Sequence, residues 1–184
     1  MPRDGLYLGR GGQFAVMAEF PIRGHNVAIP EVDVGEDVFV VNDDSGVLNR
    51  IQVKTAQGKA RSGLGGYTAK FSFGWPQVAK QRTPDLLYAL VCRYQDRWCD
   101  FVLIERRTLF DLHSDYGVGH RVGERILLTV IVTPDEVTSN GKSFQRHRGD
   151  WSRFPDLTAI RPAVRAPPGG HVLAEEKTAV KSGG

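Results

Sequence analysis

A strand-turn-strand pattern between residues 37 and 55 restricts the possible folds more than any other part of the sequence. Residues 37–41 (DVFVV) are almost all β-branched or aromatic, which predicts a central strand buried on both faces. Residues 42–46 (NDDSG) form a strong turn signal, and residues 48–55 then alternate as the hairpin partner. A β-hairpin is therefore the starting point for the fold.

Helices and further strands are predicted on both sides of this hairpin. Apolar residues recur at helical spacing in residues 11–20, and Pro21 and Gly24 follow, so a helix precedes the hairpin. The other predicted elements are a short strand at 26–29, a strand with an aromatic face at 67–75, a hairpin of 86–93 and 99–105, a short helix at 107–113, a buried strand at 126–132 and a helix that starts at Thr133-Pro134. This order predicts an α/β fold with a mixed central β-sheet flanked by helices.

Length and composition predict one ordinary globular domain. The chain has 184 residues, of which 41% are hydrophobic and 24% charged. Residues 1–160 hold the predicted elements, whereas the composition of residues 161–184 predicts a mobile tail. No apolar run has the length of a membrane span or a signal peptide, so we expect no membrane association and a cytoplasmic location. The oligomeric state stays open, with a homodimer among the alternatives.

Two cysteines, Cys92 and Cys99, are too few for a disulfide framework and lack the companions of a zinc site. If Gln95 and Asp96 form a two-residue turn, the cysteines face each other across the predicted hairpin. We expect both to be reduced thiols.

Charges are segregated along the chain. Residues 31–44 hold six acidic side chains and no Lys or Arg, and residues 45–84 hold basic side chains and no acid. An acidic cluster followed by a basic stretch suits a cation site beside a track for a polyanion, although a solvated basic face is the simpler alternative. The candidate nucleic-acid-binding residues in this stretch are Lys59, Arg61, Lys70, Lys80 and Arg82.

Three residues of the hairpin have the chemistry needed to hydrolyse a phosphodiester. Such a site needs a divalent cation, an activated water and a group that neutralises the developing negative charge. Asp37 opens the first strand, and the alternation of the second strand places Gln52 and Lys54 on one face. The aspartate and the glutamine carbonyl could ligate a metal together, while the lysine holds the water or the negative charge.

Residues 11–55 resemble the core of the PD-(D/E)XK nucleases, in which a helix and a strand that begins with Asp precede a hairpin and an (E/Q)-x-K motif. The pattern is similar to that of archaeal Holliday-junction resolvases and of the group I intron homing endonucleases that carry Q-x-K, and it covers about a quarter of the chain. The resemblance implies a restriction-endonuclease-like fold, a DNA substrate and Mg²⁺ or Mn²⁺ as cofactor. It also implies that Asp37 binds the metal, that Gln52 replaces the usual glutamate, that Lys54 is the catalytic lysine and that Gln13 corresponds to the helix glutamate of the resolvases.

The sequence departs from that family at two positions, because Gln13 and Gln52 are amides where acids are common. An amide oxygen is a weaker ligand for a hard cation than a carboxylate, so another acid should assist. Glu19, Glu36 and Asp33 are available, and Asp33 is the preferred additional metal ligand because it precedes Asp37 on the same loop. The two amides also favour an alternative in which the domain binds nucleic acid without cutting it.

Other motifs have simpler interpretations. The glycine-rich residues 9–12 lack a Walker lysine and are interpreted as a flexible segment before the helix. His113, His120 and His147 lack partners at metal spacing, and the aromatic residues of the strand at 67–75 alternate like a core face. Aromatic and basic residues mix at 144–154, where they could cover the core or bind phosphate. A protein-interaction domain with no nucleic-acid role is the remaining alternative.

Overall fold

The computed structural model describes residues 3–32, 35–63 and 65–155 of the chain. The predicted tail at 161–184 and the predicted metal ligand Asp33 lie outside the described residues. The helical elements are α1 (Arg3–Ile22), α2 (Trp75–Ala79), α3 (Arg106–Tyr116) and a 3-10 turn (Gln145–His147). The strands are β1 (Asn26–Ala28), β2 (Val38–Val41), β3 (Leu48–Gln57), β4 (Lys59–Ala60), β5 (Tyr67–Gly74), β6 (Leu86–Tyr94), β7 (Arg97–Glu105), β8 (His120–Val122), β9 (Arg125–Val132), β10 (Val137–Ser139) and β11 (Lys142–Ser143).

The strands form two β-sheets. The first has the order β1-β2-β3-β6-β7, in which β3 and β6 are parallel and the other neighbours are antiparallel. The second has the order β11-β10-β9-β5-β4, with β8 beside β9, and its pairs are antiparallel. The mixed sheet and the helices against it confirm the predicted α/β fold class. The second sheet is a layer that the sequence pattern did not predict.

The first sheet lies between two hydrophobic clusters. On one face, α1 packs Val16 and Phe20 against β2, β3 and β6. On the other face, Tyr88 of β6 packs with Phe71 and Phe73 of the second sheet. Because β6 contributes to both clusters, the first seven residues of this strand are buried. The two clusters hold the sheet between a helix and a second sheet.

The strand buried on both faces is therefore β6, and the prediction that assigned this role to residues 37–41 was wrong. β2 alternates, with Val38 and Val40 buried and Phe39 and Val41 half-buried. Its outer neighbour β1 is only three residues long, so β2 lies close to the margin of the sheet. An apolar run alone does not distinguish such a strand from one at the centre.

Residues 9–12 lie inside α1, which begins at Arg3 rather than at Gly11. The interpretation of these glycines as a flexible segment was wrong, since two of them permit close packing. A Cβ atom on Gly12 would lie 2.1 Å from Thr55 Oγ1, and one on Gly11 would lie 3.1 Å from the ring of Trp98. The glycines thus bring α1 close to the first sheet.

The β6-β7 hairpin has the predicted two-residue turn. Gln95 and Asp96 have φ angles of 47° and 58°, as a type I′ turn requires. Cys92 lies opposite Cys99, and both cysteines are free. Burial raises the pKa of the Cys92 thiol to about 12, which keeps this sulfur protonated at neutral pH.

The predicted helix start at Thr133-Pro134 was wrong. The Thr133 amide donates to the Glu136 carbonyl at 2.9 Å, and the Glu136 amide donates to Thr133 Oγ1 at 3.0 Å. These bonds close a tight turn from β9 to β10, since a threonine hydroxyl supports a turn as well as a helix cap. None of the described helices is long and apolar enough to cross a membrane.

Candidate active site

The site forms at the first residue of β2, beyond which its partner β3 continues. Asp37 lies immediately before β2, and its amide donates to the Ile51 carbonyl at 2.9 Å, which extends the pairing by one residue. Beyond that point β3 runs on to Gln57, and the Asp37 side chain lies along its edge. The Val53 amide donates to Asp37 Oδ2 at 2.7 Å. A carboxylate oxygen thus accepts the hydrogen bond that a neighbouring strand would otherwise accept.

Alternation along β3 directs its polar side chains. Ile51 and Val53 belong to the cluster beneath α1, so Gln52 and Lys54 point to the opposite face. Gln52 is 6% exposed and donates through Nε2 to Asp37 Oδ2. Lys54 is half-buried beside it. The same-face placement predicted from the sequence is present in the structure.

α1 supplies two further polar groups. Gln13, which is 7% exposed, donates through Nε2 to the backbone carbonyl of Asp37 at 2.6 Å. Arg10 in turn donates to Gln13 Oε1 at 2.6 Å. Sequence reasoning missed Arg10, although its i,i+3 spacing to Gln13 on one helix was a signal that could have found it. The helix therefore supports the aspartate through the main chain.

These groups line one cleft of about 560 Å³ between α1 and the edge of β3. All four predicted catalytic residues, Asp37, Gln52, Lys54 and Gln13, are among those that line it. The remaining lining residues are Gly5, Leu6, Gly9, Arg10, Val53 and Thr55. Asp37 is the one carboxylate among these lining residues.

The oxygen atoms of Asp37 and Gln52 are suitable ligands for a hard cation, but the Gln52 amide is turned so that its oxygen points away from Asp37. Within the described ranges, no group of three or more His, Cys, Asp or Glu side chains could hold a metal. The nitrogen of the Gln52 amide faces Asp37, and its oxygen accepts a hydrogen bond from Gln77 Nε2 at 2.6 Å. Mg²⁺ commonly uses one or two carboxylates and keeps several waters, so Asp37 with a rotated Gln52 amide fits such an ion.

The reserve acids that the structure describes are held elsewhere. Glu36 is fully buried and pairs with Arg82 at 2.6 Å and with Arg50 at 3.5 Å. Glu19 pairs with Arg23 on α1 at 3.5 Å. Neither glutamate lines the cleft. Neither Glu36 nor Glu19 is therefore placed to serve as a second carboxylate ligand beside Asp37.

The predicted nucleic-acid-binding residues do not line the cleft. Lys59 and Lys70 are exposed on β4 and β5 of the second sheet, and Lys80 is exposed at the end of α2. Arg61 is half-buried after β4, and Arg82 donates to Glu36. The buried residues of β5 face the first sheet, so Lys70 points to the outer surface of the second.

The aromatic residues of β5 form a core face, as their alternation predicted, while His120 is exposed and His113 and His147 are half-buried. Phe71 and Phe73 are buried between the sheets, and Phe144 and Phe154 are fully buried. His113 Nδ1 lies 2.9 Å from the Val118 carbonyl at the end of α3. Two cations of residues 144–154 have acidic partners, since Arg148 pairs with Asp100 at 2.6 Å and Arg153 pairs with Glu105 at 2.6 Å.

The chain is thus an α/β protein with a mixed sheet and a polar cleft at the edge of that sheet. A scan against protein-family models found no match, and a search of curated proteins found none either. Among solved structures, the chain is similar to a bacterial homing endonuclease, I-Ssp6803I, with 17% identity and a TM-score of 0.42. That comparison covers 79% of this chain and 87% of the other.

Proposed function

We propose that this chain is a metal-dependent endonuclease that hydrolyses phosphodiester bonds in DNA, with a PD-(D/E)XK site in its Q-x-K form. The observation that carries the proposal is the meeting of four polar side chains in one cleft, namely Asp37, Gln52, Lys54 and Gln13. They come from α1, from the residue before β2 and from β3, which are separate parts of the sequence. The residues chosen from the sequence motif are thus the ones that the fold brings together, and this agreement between sequence and structure supports the proposal.

Each residue has a role in this proposal. Asp37 is the anionic ligand of a Mg²⁺ or Mn²⁺ ion, with Gln52 and Asp33 as further oxygen ligands. The bound cation would polarise the phosphate and supply an activated water. The Lys54 ammonium stabilises the negative charge that develops on the phosphate. Gln13 fixes the position of Asp37 through its backbone carbonyl.

The DNA track proposed beside this site uses the basic residues of 59–82. Lys59, Lys70 and Lys80 are exposed, as phosphate contacts require. Arg82 links the track to the cleft, because its partner Glu36 directly precedes Asp37. We therefore propose that phosphate contacts position the DNA and that the cleft carries out the chemistry.

One observation favours a second candidate, a nuclease-like domain that binds DNA without cutting it. The Gln52 nitrogen faces Asp37, and this orientation offers a cation one oxygen fewer than a glutamate would. A domain with a weakened cation site and an intact basic track would bind DNA but would not cleave it.

Cleavage of plasmid and single-stranded DNA in Mg²⁺ or Mn²⁺, compared with chelator, tests the proposal. We expect metal-dependent nicking by the wild type and a loss of at least about 100-fold in Asp37→Asn and in Lys54→Met, because each removes charge stabilisation at the reacting phosphate. Asparagine keeps an oxygen that can accept the Val53 amide, so the strand edge stays satisfied.

Matched controls separate the cleft from the surface. Asp44→Asn removes an exposed acid of the hairpin turn, and Lys142→Met removes an exposed lysine of β11. Both should retain wild-type cleavage at saturating DNA. Full activity in Asp37→Asn or Lys54→Met would disprove the assigned site, and DNA binding without cleavage by the wild type would favour the second candidate.

A further inference from the structure

A chain of side-chain amides connects the candidate active site to α2. Gln77 of α2 donates through Nε2 to Gln52 Oε1 at 2.6 Å, and Gln52 donates through its own Nε2 to Asp37 Oδ2. The same Gln77 nitrogen donates to the Gly35 carbonyl at 2.5 Å. Because the Gln52 oxygen accepts from Gln77, the Gln52 nitrogen is the group that faces Asp37 and donates to it.

The orientation of Gln77 is fixed from several sides. Its amide nitrogen faces two oxygen acceptors, and rotation of the amide would place an oxygen against both. The Tyr88 hydroxyl lies 3.5 Å from Gln77 Oε1, and burial raises the pKa of Tyr88, so this hydroxyl stays protonated and can donate. Gly35 has a φ of 106°, and a Cβ atom there would lie 2.4 Å from Gln77 Nε2. The surroundings thus favour Gln77 as a donor toward Gln52.

This arrangement has a direct consequence for Gln52. As long as Gln77 donates to its oxygen, Gln52 presents N–H groups to Asp37, and an N–H group is not a metal ligand. For a cation to be held by both side chains, Gln52 must rotate and lose its bond from Gln77. The affinity for the cation therefore includes the free energy of breaking that bond.

We infer that Gln77 is a positioning residue that sets the amide orientation of Gln52 and so holds down the affinity of the Asp37 site for a divalent cation. The inference rests on the proposed function and adds a control element to it. The hydrogen bonds described for Gln77 join it to Gly35, Gln52 and Tyr88, so Gln77 acts on the Asp37 site through Gln52.

Two substitutions at this position make the inference testable. Gln77→Glu replaces the donor with a carboxylate that only accepts, so Gln52 would turn its nitrogen toward residue 77 and its oxygen toward Asp37. Gln77→Met removes the donor without adding charge, so Gln52 can rotate without losing a partner. Gln81→Glu is the matched control, because it adds the same charge at an exposed position of the following segment.

The experiment is a titration of the metal-free full chain with Mn²⁺ and with Mg²⁺ by calorimetry, together with thermal melting with and without each ion. We expect Gln77→Glu to bind Mn²⁺ about tenfold more tightly than wild type, the scale on which partners of metal ligands alter affinity. Gln77→Met should bind more tightly by a smaller factor, and Gln81→Glu should match wild type. Melting curves without metal establish that each variant is folded.

The outcomes distinguish this inference from the proposed function. If Gln77→Glu binds Mn²⁺ more tightly than wild type but Gln77→Met does not, the added charge acts through space and the inference is overturned. If wild type binds Mn²⁺ and cleaves DNA but neither variant binds more tightly, the inference fails and the proposed function stands. If no protein in the series binds either cation, the metal site itself is absent and both fail.

Discussion

At Asp37 a single carboxylate oxygen accepts hydrogen bonds from the Val53 amide and from the Gln52 side chain. The backbone of the same residue donates to Ile51 and accepts from Gln13. Few conformations of the residue satisfy all four contacts at once. The proposed metal ligand is therefore preorganised by β3 and α1 before any cation or DNA binds.

Gln52→Glu tests the ligand role of position 52. The new carboxylate would still accept from Gln77 Nε2 but would face the Asp37 carboxylate without a donor between them. Like charges at this distance oppose each other, so we expect a lower melting temperature at neutral pH without metal. With Mn²⁺ or Mg²⁺ the two carboxylates share a cation, and the gain in melting temperature on adding metal should exceed that of the wild type.

Gln57→Glu, at the exposed end of the same strand, is the control for added charge on β3. A Gln52→Glu protein that is destabilised equally with and without metal would rule out position 52 as a ligand.

The sequence predicted four polar residues of the cleft but not the partners that orient them. Asp37, Gln52 and Lys54 could be placed because strand alternation fixes which face a side chain takes. Gln77 could not, because it lies 25 positions from Gln52 and reaches it from a separate helix. Such an interaction depends on tertiary packing, which local periodicity does not encode.

Close packing between α1 and β3 determines where Gln13 lies. We predict that Gly12→Ala destabilises the protein by about 1–3 kcal/mol, because the added Cβ would overlap Thr55 and force the helix outward. Cleavage should fall as well, since Gln13 would no longer reach the Asp37 carbonyl. Thermal melting and the plasmid assay measure the two effects.

Gly9→Ala is the matched control, because a Cβ atom there meets nothing within 4 Å. This change should stabilise α1 by about 0.5–1 kcal/mol, as alanine favours a helix over glycine. Equal behaviour of the two variants would contradict the packing argument.

An ion pair between Arg106, the first residue of α3, and Asp85 holds the start of this helix against the rest of the fold. Arg106 is 5% exposed and donates to both carboxylate oxygens of Asp85 and to the Val78 carbonyl of α2. Burial on its own raises the pKa of Asp85, but the hydrogen bonds from Arg106 and from the Leu86 amide outweigh it, so the net pKa is lowered.

A lowered folded-state pKa means that ionised Asp85 stabilises the protein above the usual aspartate range and that this stabilisation is lost as pH falls through the lowered value. We therefore predict that Asp85→Asn lowers the melting temperature at pH 7, and that the difference from wild type shrinks as the pH falls from about 5 to about 3. Asp115→Asn, at an exposed position of α3, is the control. A difference independent of pH would contradict the electrostatic explanation.

At the level of elements, local patterns identified most strands and placed the β6-β7 turn, but they did not rank the strands by burial. β2 and β6 both read as apolar runs, and each pairs with a strand on either side. Only the packing of a helix on one face of β6 and of the second sheet on the other shows that β6 is the strand buried on both faces. The Thr133-Pro134 pair failed for a related reason, because one side-chain hydroxyl can serve either a turn or a helix.

Across the whole molecule, the second sheet was the largest feature that sequence patterns missed. Its central pair joins β5 to β9, with Tyr67 opposite Val132, so the pairing spans a long stretch of chain. Alternation identified the strand at 67–75 and the strand at 126–132 separately. No local signal specifies that two distant strands pair.

The outer surface of that sheet carries part of the proposed DNA track. We predict that replacing Lys59, Arg61 and Lys70 together with glutamine weakens DNA binding and flattens its salt dependence. The logarithmic slope should fall by up to about 0.9 for each phosphate that the protein no longer neutralises. Binding titrations over a range of salt concentrations measure both quantities.

The control replaces three exposed cations from other elements, Arg107, Arg121 and Lys142. This variant carries the same net charge as the first, so a purely global effect of charge would change both alike. If the triple variant of Lys59, Arg61 and Lys70 keeps the wild-type affinity for DNA and the wild-type salt dependence, the basic stretch is only a solvated face.

The part of β3 that runs on past the start of β2 has a bearing on solubility. In the described part of the chain, no strand pairs with residues 52–57 on the side that β2 leaves open. An open strand edge is a template on which another chain can add and begin an aggregate. Here the Asp37 carboxylate takes up the Val53 amide, and α1 lies alongside. A descendant of this protein that lost the aspartate would lose a barrier to aggregation together with the proposed metal ligand.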